Sequence, residues 1–189
     1  VMKRLKQIDV ECSEQIDRFG LIFHAAELQR QPTEANLART DLESILRSLA
    51  PGWSEQLKRR EISLSLDLDR GLPTVMSDSH RLEAMLGGLI DRSSRGLPGG
   101  SELHLGLQAA GARVKLQLHV VLPGSATSPA NASPAREELG TVLSWDPTTG
   151  SLQLSQDATR QMMASLGGRY QPRRDRDLTV FFPVQSDAD

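Results

Sequence analysis

Histidine and cysteine side chains are the usual carriers of acid–base, nucleophilic and metal chemistry, and this chain has few of them. Its four histidines are His24, His80, His104 and His119, and no two have the chain spacing typical of metal ligands. No order of Ser, His and Asp resembles a catalytic triad. The single cysteine, Cys12, excludes an intrachain disulfide or a cysteine-rich zinc site. We therefore predict no catalytic residue and no metal ligand among these side chains.

Charge and hydrophobicity narrow the class of protein further. The 189 residues carry a formal net charge of -2, and the short basic runs are flanked by acids, which argues against a nucleic-acid partner. No apolar run reaches the roughly 20 residues that span a bilayer. The first residues are not followed by the apolar region of a secretory signal peptide. We expect a cytoplasmic segment without membrane contact. Hydrophobic residues make up 38% of the chain, enough for one core.

The first part of the chain, Met2–Gln31, has the pattern of one long amphipathic helix that Pro32 ends. Its apolar residues recur every three or four positions and form one stripe. A lone helix has nothing to bury that stripe against, so we expect a homodimer through this helix. The stripe consists of Leu5, Ile8, Cys12, Ile16, Phe19, Ile22 and Phe23.

The remaining sequence alternates between helical and extended patterns. In order, it predicts a polar link over 33–40, a helix capped by Thr40 and interrupted at Pro51-Gly52, a strand over 62–68, a short extended piece over 72–76, a helix over 79–95 capped by Ser77 or Asp78, a hairpin of 102–108 and 113–122, a loop over 123–136, a short strand within 139–145, a helix over 151–166 ended by Gly167-Gly168, and a last strand pair, 169–172 and 178–184.

This order predicts an α+β fold, in which a mixed, largely antiparallel sheet is covered on one face by helices and preceded by a helical stalk. We place the boundary between a helical dimerisation and linker segment, 1–58, and a second domain, 59–189. His104 and His119 alternate with apolar residues on their strands, so they are expected to face outward, whereas His80 lies at a helix start.

Three stretches resemble a known family: the run from Leu37 to Ile90 with its "RLEAMLGGLI" helix, the turn and strand "LPGGSELHLGL", and the closing "ASLGGRYQPRRDRDLTVFFPV". They resemble the ATP-binding catalytic domain of bacterial sensor histidine kinases and the wider GHKL ATPases, preceded by the second helix of a dimerisation hairpin. The resemblance implies a layered α/β sandwich and a place in two-component signalling.

In that family a helix supplies an asparagine that ligates the Mg²⁺ bridging the ATP phosphates. The resemblance places Gly88 and Arg92 at the two asparagine positions of this helix, and Arg95 at the basic residue that follows. Arginine has hydrogen-bond donors and no acceptor, so it cannot ligate a cation. The resemblance therefore implies a degraded metal site. A nucleotide bound without metal is the alternative.

Two further elements of the family's nucleotide site are weakened here. Val120 stands near the position at which the family has an aspartate that accepts a hydrogen bond from adenine. Only Pro123 and Gly124 remain of the glycine-rich turn that follows this position. Gly150 is what remains of the phosphate-binding loop. Since valine cannot accept a hydrogen bond, the adenine amino group would be left unpaired. We therefore expect no cofactor, unless a diverged site still binds ATP with Mg²⁺.

His24 does not have the sequence context of a phosphoacceptor, because Ala25 follows it where the family has an acid. We interpret it as a packing residue. The resulting prediction is a pseudokinase that signals through protein contacts, with a response regulator or a true kinase as partners. Two alternatives stay open: an active ATP-dependent protein-histidine kinase with a diverged site, and a binder of the anti-sigma or partner-switch type.

Overall fold

The structure is a computed structural model, and it describes residues 4–5, 7–8, 11–12, 15, 36–124, 137–139, 143–146, 151–172 and 177–184. Its contacts divide the chain into two units. One contains Val1–Thr33 with Pro134–Thr159, and the other contains Glu34–Ser133 with Arg160–Asp189. Within the described ranges, no helix is both long and apolar enough to cross a membrane.

The second, larger unit contains most of the regular structure. From residue 36 onward, the elements in chain order are β1 (Ala38–Thr40), α1 (Leu42–Lys58), β2 (Ser63–Leu68), β3 (Val75–Ser77), α2 (Ser79–Ser94), β4 (Glu102–Ala109), β5 (Arg113–Val121), β6 (Glu137–Leu139), β7 (Leu143–Asp146), β8 (Ser151–Leu154), α3 (Gln156–Ser165), β9 (Arg169–Pro172) and β10 (Leu178–Pro183).

The main sheet has five strands in the order β2-β4-β5-β10-β9. β2 runs parallel to β4, and the other neighbours are antiparallel. β1 pairs with β3 in a separate two-stranded ribbon, and β6, β7 and β8 form a three-stranded sheet in the smaller unit. The predicted α+β class and the mixed, largely antiparallel main sheet are confirmed.

Alternation along the strands builds the core. Leu103, Leu105 and Leu107 of β4 are at most 1% exposed, while the residues between them face the other side of the sheet. The helices α1 and α2 contribute to the same apolar cluster as this inner face. Full burial of each such leucine contributes about 1.5–3 kcal/mol. The same cluster includes Leu46, Trp53, Leu57, Leu82, Leu86, Ile90, Leu116, Leu118, Val180 and Phe182.

Helix α1 corrects two expectations. It runs unbroken through Pro51, because its apolar face continues past the proline in Trp53 and Leu57, which are both buried. Its N-cap is Asp41, whose carboxylate accepts a hydrogen bond from the backbone N–H of Ser44 at 3.0 Å. Thr40 is instead the last residue of β1, so the expected polar link is wrong at residues 38–40.

The last helix also begins later than the sequence suggests. Ser151–Leu154 forms β8, paired with β7, and α3 starts at Gln156. The hydroxyl of Ser155 accepts from the N–H of Ala158 at 3.1 Å, which caps the helix. The predicted C-terminal cap is confirmed: Gly167 has φ +80, a left-handed conformation that glycine adopts readily.

The described residues between positions 4 and 15 are helical, as predicted, and the rest of Met2–Gln31 lies outside the described residues. Helix α2, the β4–β5 hairpin and the β9–β10 pair match their predicted positions. The domain boundary after residue 58 stays a prediction, and so does the loop over 123–136, of which only Pro123 and Gly124 are described.

Candidate functional site

Helix α2 carries two of the candidate site residues, Gly88 and Arg92, and its start is held by hydrogen bonds. Asp78 precedes the helix, and its carboxylate accepts hydrogen bonds from the backbone N–H groups of Arg81 at 3.1 Å and Asn36 at 3.2 Å. These bonds, that from Arg81 above all, hold the pKa of Asp78 below its usual value. Of the two predicted caps, Asp78 is therefore the one used.

Gly88 and Arg92 lie four residues apart in α2, and so they share one face of the helix. Gly88 is half-buried, and the structure describes only the backbone of Arg92. Next to them, Gly87 faces α1, since a Cβ atom there would lie at ordinary contact distance, 3.8 Å, from Nε1 of Trp53. The candidate positions on α2 therefore lie beside α1.

The end of α2 is organised around one carboxylate, that of Asp91. Its Oδ1 accepts from Nη2 of Arg60 at 2.8 Å and from Nε2 of Gln56 at 2.9 Å. Its Oδ2 accepts from Nη2 of Arg95 at 2.6 Å. Arg60 also bonds the hydroxyl of Ser94 at 2.6 Å. Both oxygens of the acid beside Arg92 are therefore engaged by donors, and two guanidinium groups surround it.

In this arrangement Arg95 forms an ion pair that the resemblance did not suggest. Its guanidinium binds Asp91 one turn earlier in the chain, at the i,i+4 spacing that favours ion pairs. Sequence reasoning missed Asp91, although this spacing was a usable signal. The ion pair of Asp91 with Arg60 joins residues 31 positions apart in the chain, and no sequence pattern predicts it.

The end of β5 carries the position that the family's aspartate would occupy. The side chain of Val120 packs against the core. Its backbone N–H donates to the carboxylate of Asp177 at 3.3 Å. That carboxylate also contacts Nδ1 of His119 at 2.6 Å, and His119 points to the opposite face of the sheet. An acid is therefore close to Val120 in space but faces away from the helices.

The turn Pro123-Gly124 follows β5 and lies beside the turn that follows α2. A Cβ atom built on Gly100, whose φ is +84, would lie 3.6 Å from the Cβ of Pro123. The β5 turn therefore lies next to the turn that follows α2, the helix that carries Gly88 and Arg92. The third predicted site element, Gly150, lies outside the described residues. In the described ranges, no group of three or more His, Cys, Asp or Glu side chains is placed to hold a metal ion.

No protein-family model matches the chain. Among curated proteins, it is 37% identical over 192 residues to "Sensor histidine kinase Hik34" of Synechocystis sp., a match that covers 98% of this chain and 40% of that relative. The chain therefore spans less than half the length of the curated relative it matches.

Solved structures show the same fold. ShkA in complex with AMPPNP gives a TM-score of 0.65 at 20% identity, covering 93% of this chain and 38% of that one. The histidine kinase ThkA in complex with the response regulator protein TrrA gives 0.63 at 12% identity, covering 95% and 50%. Acinetobacter baumannii AdeS gives 0.58 at 18% identity, covering 97% and 82%.

The five-stranded sheet and the helices on its inner face define a catalytic-domain fold of the GHKL type. Within that class, the chain belongs to the bacterial sensor histidine kinases, as the region that carries this fold. The resemblance noted in the sequence is confirmed. Family membership connects the chain to two-component signalling.

Proposed function

We propose that this chain is a two-component signalling module whose magnesium–ATP site is impaired, and that it acts through protein contacts. The observation that supports the proposal most strongly is the set of contacts at the end of α2. There Asp91, the acid adjacent to Arg92, is engaged by Arg60 and Arg95. Magnesium requires oxygen ligands, and the carboxylate at this helix end is already engaged by cationic donors.

Electrostatics supports the same conclusion. The Asp91 carboxylate lies between two arginines at 2.8 and 2.6 Å, so one negative charge faces two positive charges. The helix end therefore has a net positive charge. A divalent cation approaching it would be repelled and would have to displace Asp91 from its hydrogen bonds, which costs stability at a partly buried site.

The adenine side of the site supports the proposal independently. Val120 is packed against the core and offers no acceptor to an adenine amino group. Asp177 cannot replace the missing aspartate, because its carboxylate is held on the other face of the sheet by His119 and the Val120 N–H. Recognition of a purine would leave a polar group unpaired, at a cost of about 1–3 kcal/mol.

Calorimetric titration with AMPPNP and Mg²⁺ tests the proposal. The wild-type chain should show no saturable, metal-dependent binding. The restored variant Gly88→Asn/Arg92→Asn/Val120→Asp should show saturable, metal-dependent binding, since each restored hydrogen bond contributes on the order of 1 kcal/mol. Arg92→Asn alone keeps the test valid if the triple variant unfolds. Arg169→Asn, at an exposed site on β9, is the matched control.

Tight magnesium-dependent binding by the wild-type chain would contradict impairment and support the alternative, an active histidine kinase with a diverged site. That alternative draws on the naming of Hik34 as a sensor histidine kinase and on AMPPNP in the ShkA structure. Transfer of the γ-phosphate of ATP to a histidine would then be the decisive measurement.

We further propose a homodimer through the Met2–Gln31 helix. Leu5 and Ile8 are 60% and 55% exposed, and they lie on one helical stripe with the exposed Cys12. Such a stripe is buried when two helices pair. Sedimentation should give a dimer for the wild-type chain and a monomer for Leu5→Glu/Ile8→Glu. A response regulator is the partner we propose for the signalling step, by analogy with the ThkA–TrrA complex.

A further inference from the structure

The outer face of the main sheet carries a polar groove that the nucleotide proposal does not use. It encloses about 350 Å³ and is lined by side chains of four strands and by Asp177. Gly106 lines the groove without a side chain, and a Cβ atom there would lie 3.8 Å from the backbone oxygen of Asp67 and 4.0 Å from Cβ of Gln117. Alternating strand residues thus place polar groups around an open space.

Two histidines lie directly opposite each other at this groove. His104 of β4 and His119 of β5 are register partners across the antiparallel pair. Directly paired residues have Cβ atoms about 4.5–5.5 Å apart, so their side chains can act together. The ring centroids are 6.4 Å apart, and both side chains are accessible, with exposed fractions of 42% and 58%.

A carboxylate lies beside one nitrogen of each ring, and that of Asp177 is hydrogen-bonded to His119. Nε2 of His104 lies 3.2 Å from Oε2 of Glu102, and Nδ1 of His119 lies 2.6 Å from Oδ1 of Asp177. The second nitrogen of each ring, Nδ1 of His104 and Nε2 of His119, has no hydrogen-bond partner among the described residues. A carboxylate on one imidazole nitrogen orients the ring and makes the other nitrogen a better metal ligand.

We propose that His104 and His119 form a two-histidine chelate for a divalent transition-metal ion, with Glu102 and Asp177 as the outer carboxylates. Two imidazoles bound to one tetrahedral ion, with metal–nitrogen bonds of about 2.0–2.1 Å, have ring centres roughly 5 Å apart. The rings, 6.4 Å apart in the structure, must move closer to reach that separation. Water completes the shell, which is consistent with the lack of a third protein ligand in the described ranges.

The chemistry favours a metal ion over other ligands. Uncharged imidazole suits Zn²⁺, Ni²⁺ and Cu²⁺, and affinity for such a site rises toward Cu²⁺. The nearby Glu102, Asp177 and Asp67 make the groove unfavourable for an anion. The histidines are 15 positions apart in the chain, far from a usual motif, and the antiparallel register alone brings them together.

Titration of the chain with ZnCl₂ and CuCl₂ followed by calorimetry tests this site. We expect one saturable site, with Cu²⁺ bound more tightly than Zn²⁺. His104→Gln and His119→Gln should each weaken binding more than tenfold, since loss of a ligand exceeds the roughly tenfold cost of losing an outer-shell partner. His80→Gln is the matched control on α2, and Cys12→Ser removes the only thiol. Neither control should change the affinity.

Binding that survives either glutamine variant, or that is lost equally in His80→Gln or Cys12→Ser, would overturn the proposal. Two further readouts separate chelation from a general surface effect. Glu102→Gln and Asp177→Asn should weaken binding about tenfold while leaving both imidazoles in place. Bound metal should also raise the melting temperature of the wild-type chain and leave that of His104→Gln unchanged. Equal shifts in both proteins would count against the site.

Discussion

The two faces of the main sheet are made by neighbouring residues of the same strands, yet they differ completely. On β4, Leu105 is 1% exposed and belongs to the core, while the preceding residue, His104, faces the groove. Leu118 and His119 repeat the contrast on β5. The inner face needs only apolar residues at every second position. The outer face acquires its chemistry from the register between strands.

The strongest test of this contrast compares alanine variants of two neighbouring residues on β4. Leu105→Ala should lower the free energy of unfolding by about 2–5 kcal/mol, because it leaves a cavity in the core. His104→Ala, one residue away, should change it by no more than about 0.5 kcal/mol. Urea unfolding followed by circular dichroism measures both. Similar losses from the two variants would show that the outer face is as tightly packed as the inner one.

A second test adds volume instead of removing it. A Cβ atom on Gly168 would lie 2.7 Å from Cγ1 of Val180 and 2.9 Å from Cε1 of Phe182, on the inner face. Gly168→Ala should therefore cost about 1–3 kcal/mol. Gly52, exposed in α1, has no atom within 4 Å of such a position, so Gly52→Ala should stabilise by about 0.5–1 kcal/mol. Changes of equal sign in thermal unfolding would refute the assignment of the inner face.

The smallest expected effect is a loss of stability at low pH. It tests carboxylates of the helices, Glu43 in α1 and Asp78 at the start of α2, and not of the sheet. The hydrogen bond from Arg47 lowers the pKa of Glu43 from its usual 4.5, and that from the Arg81 N–H lowers the pKa of Asp78 from 3.8. A carboxyl group with a lowered folded-state pKa stabilises the fold above its usual pKa, and this contribution is lost as the pH falls through the lowered value. The melting temperature should therefore fall below about pH 4.5.

The variants Glu43→Gln and Asp78→Asn should each make that fall shallower, measured as melting temperature against pH. Arg47→Met, which removes the main donor to Glu43, should do the same as Glu43→Gln. If all three curves matched that of the wild-type chain, acid sensitivity would have to originate outside α1 and α2.

Much of the fold could be predicted because it depends on local patterns. The alternation in β4 and β5, with Gly111 at φ 62 between them, identified the hairpin, and Asp78 with the apolar face of α2 identified that helix. The errors arose where tertiary contacts override local rules. Burial of Trp53 and Leu57 carries α1 through a proline, and pairing with β7 makes residues 151–154 a strand.

The candidate site was predictable only in part, for the same reason. The resemblance selected the positions of Gly88, Arg92 and Val120, and the structure places them on α2 and at the end of β5. The pairing of Asp91 with Arg60, and of His104 with His119, joins residues far apart in the chain. Only the packed helices and the strand register bring such pairs together.

The position of β10 has a consequence for how the chain is synthesised. This strand is the last regular element described, and it lies between β5 and β9 in the sheet. During translation, β2, β4 and β5 emerge first and expose the free edge of β5, while β9 has no neighbour until Leu178–Pro183 arrives. An unpaired edge invites contact with other chains. A ribosome that stalls before this strand would therefore release an aggregation-prone intermediate.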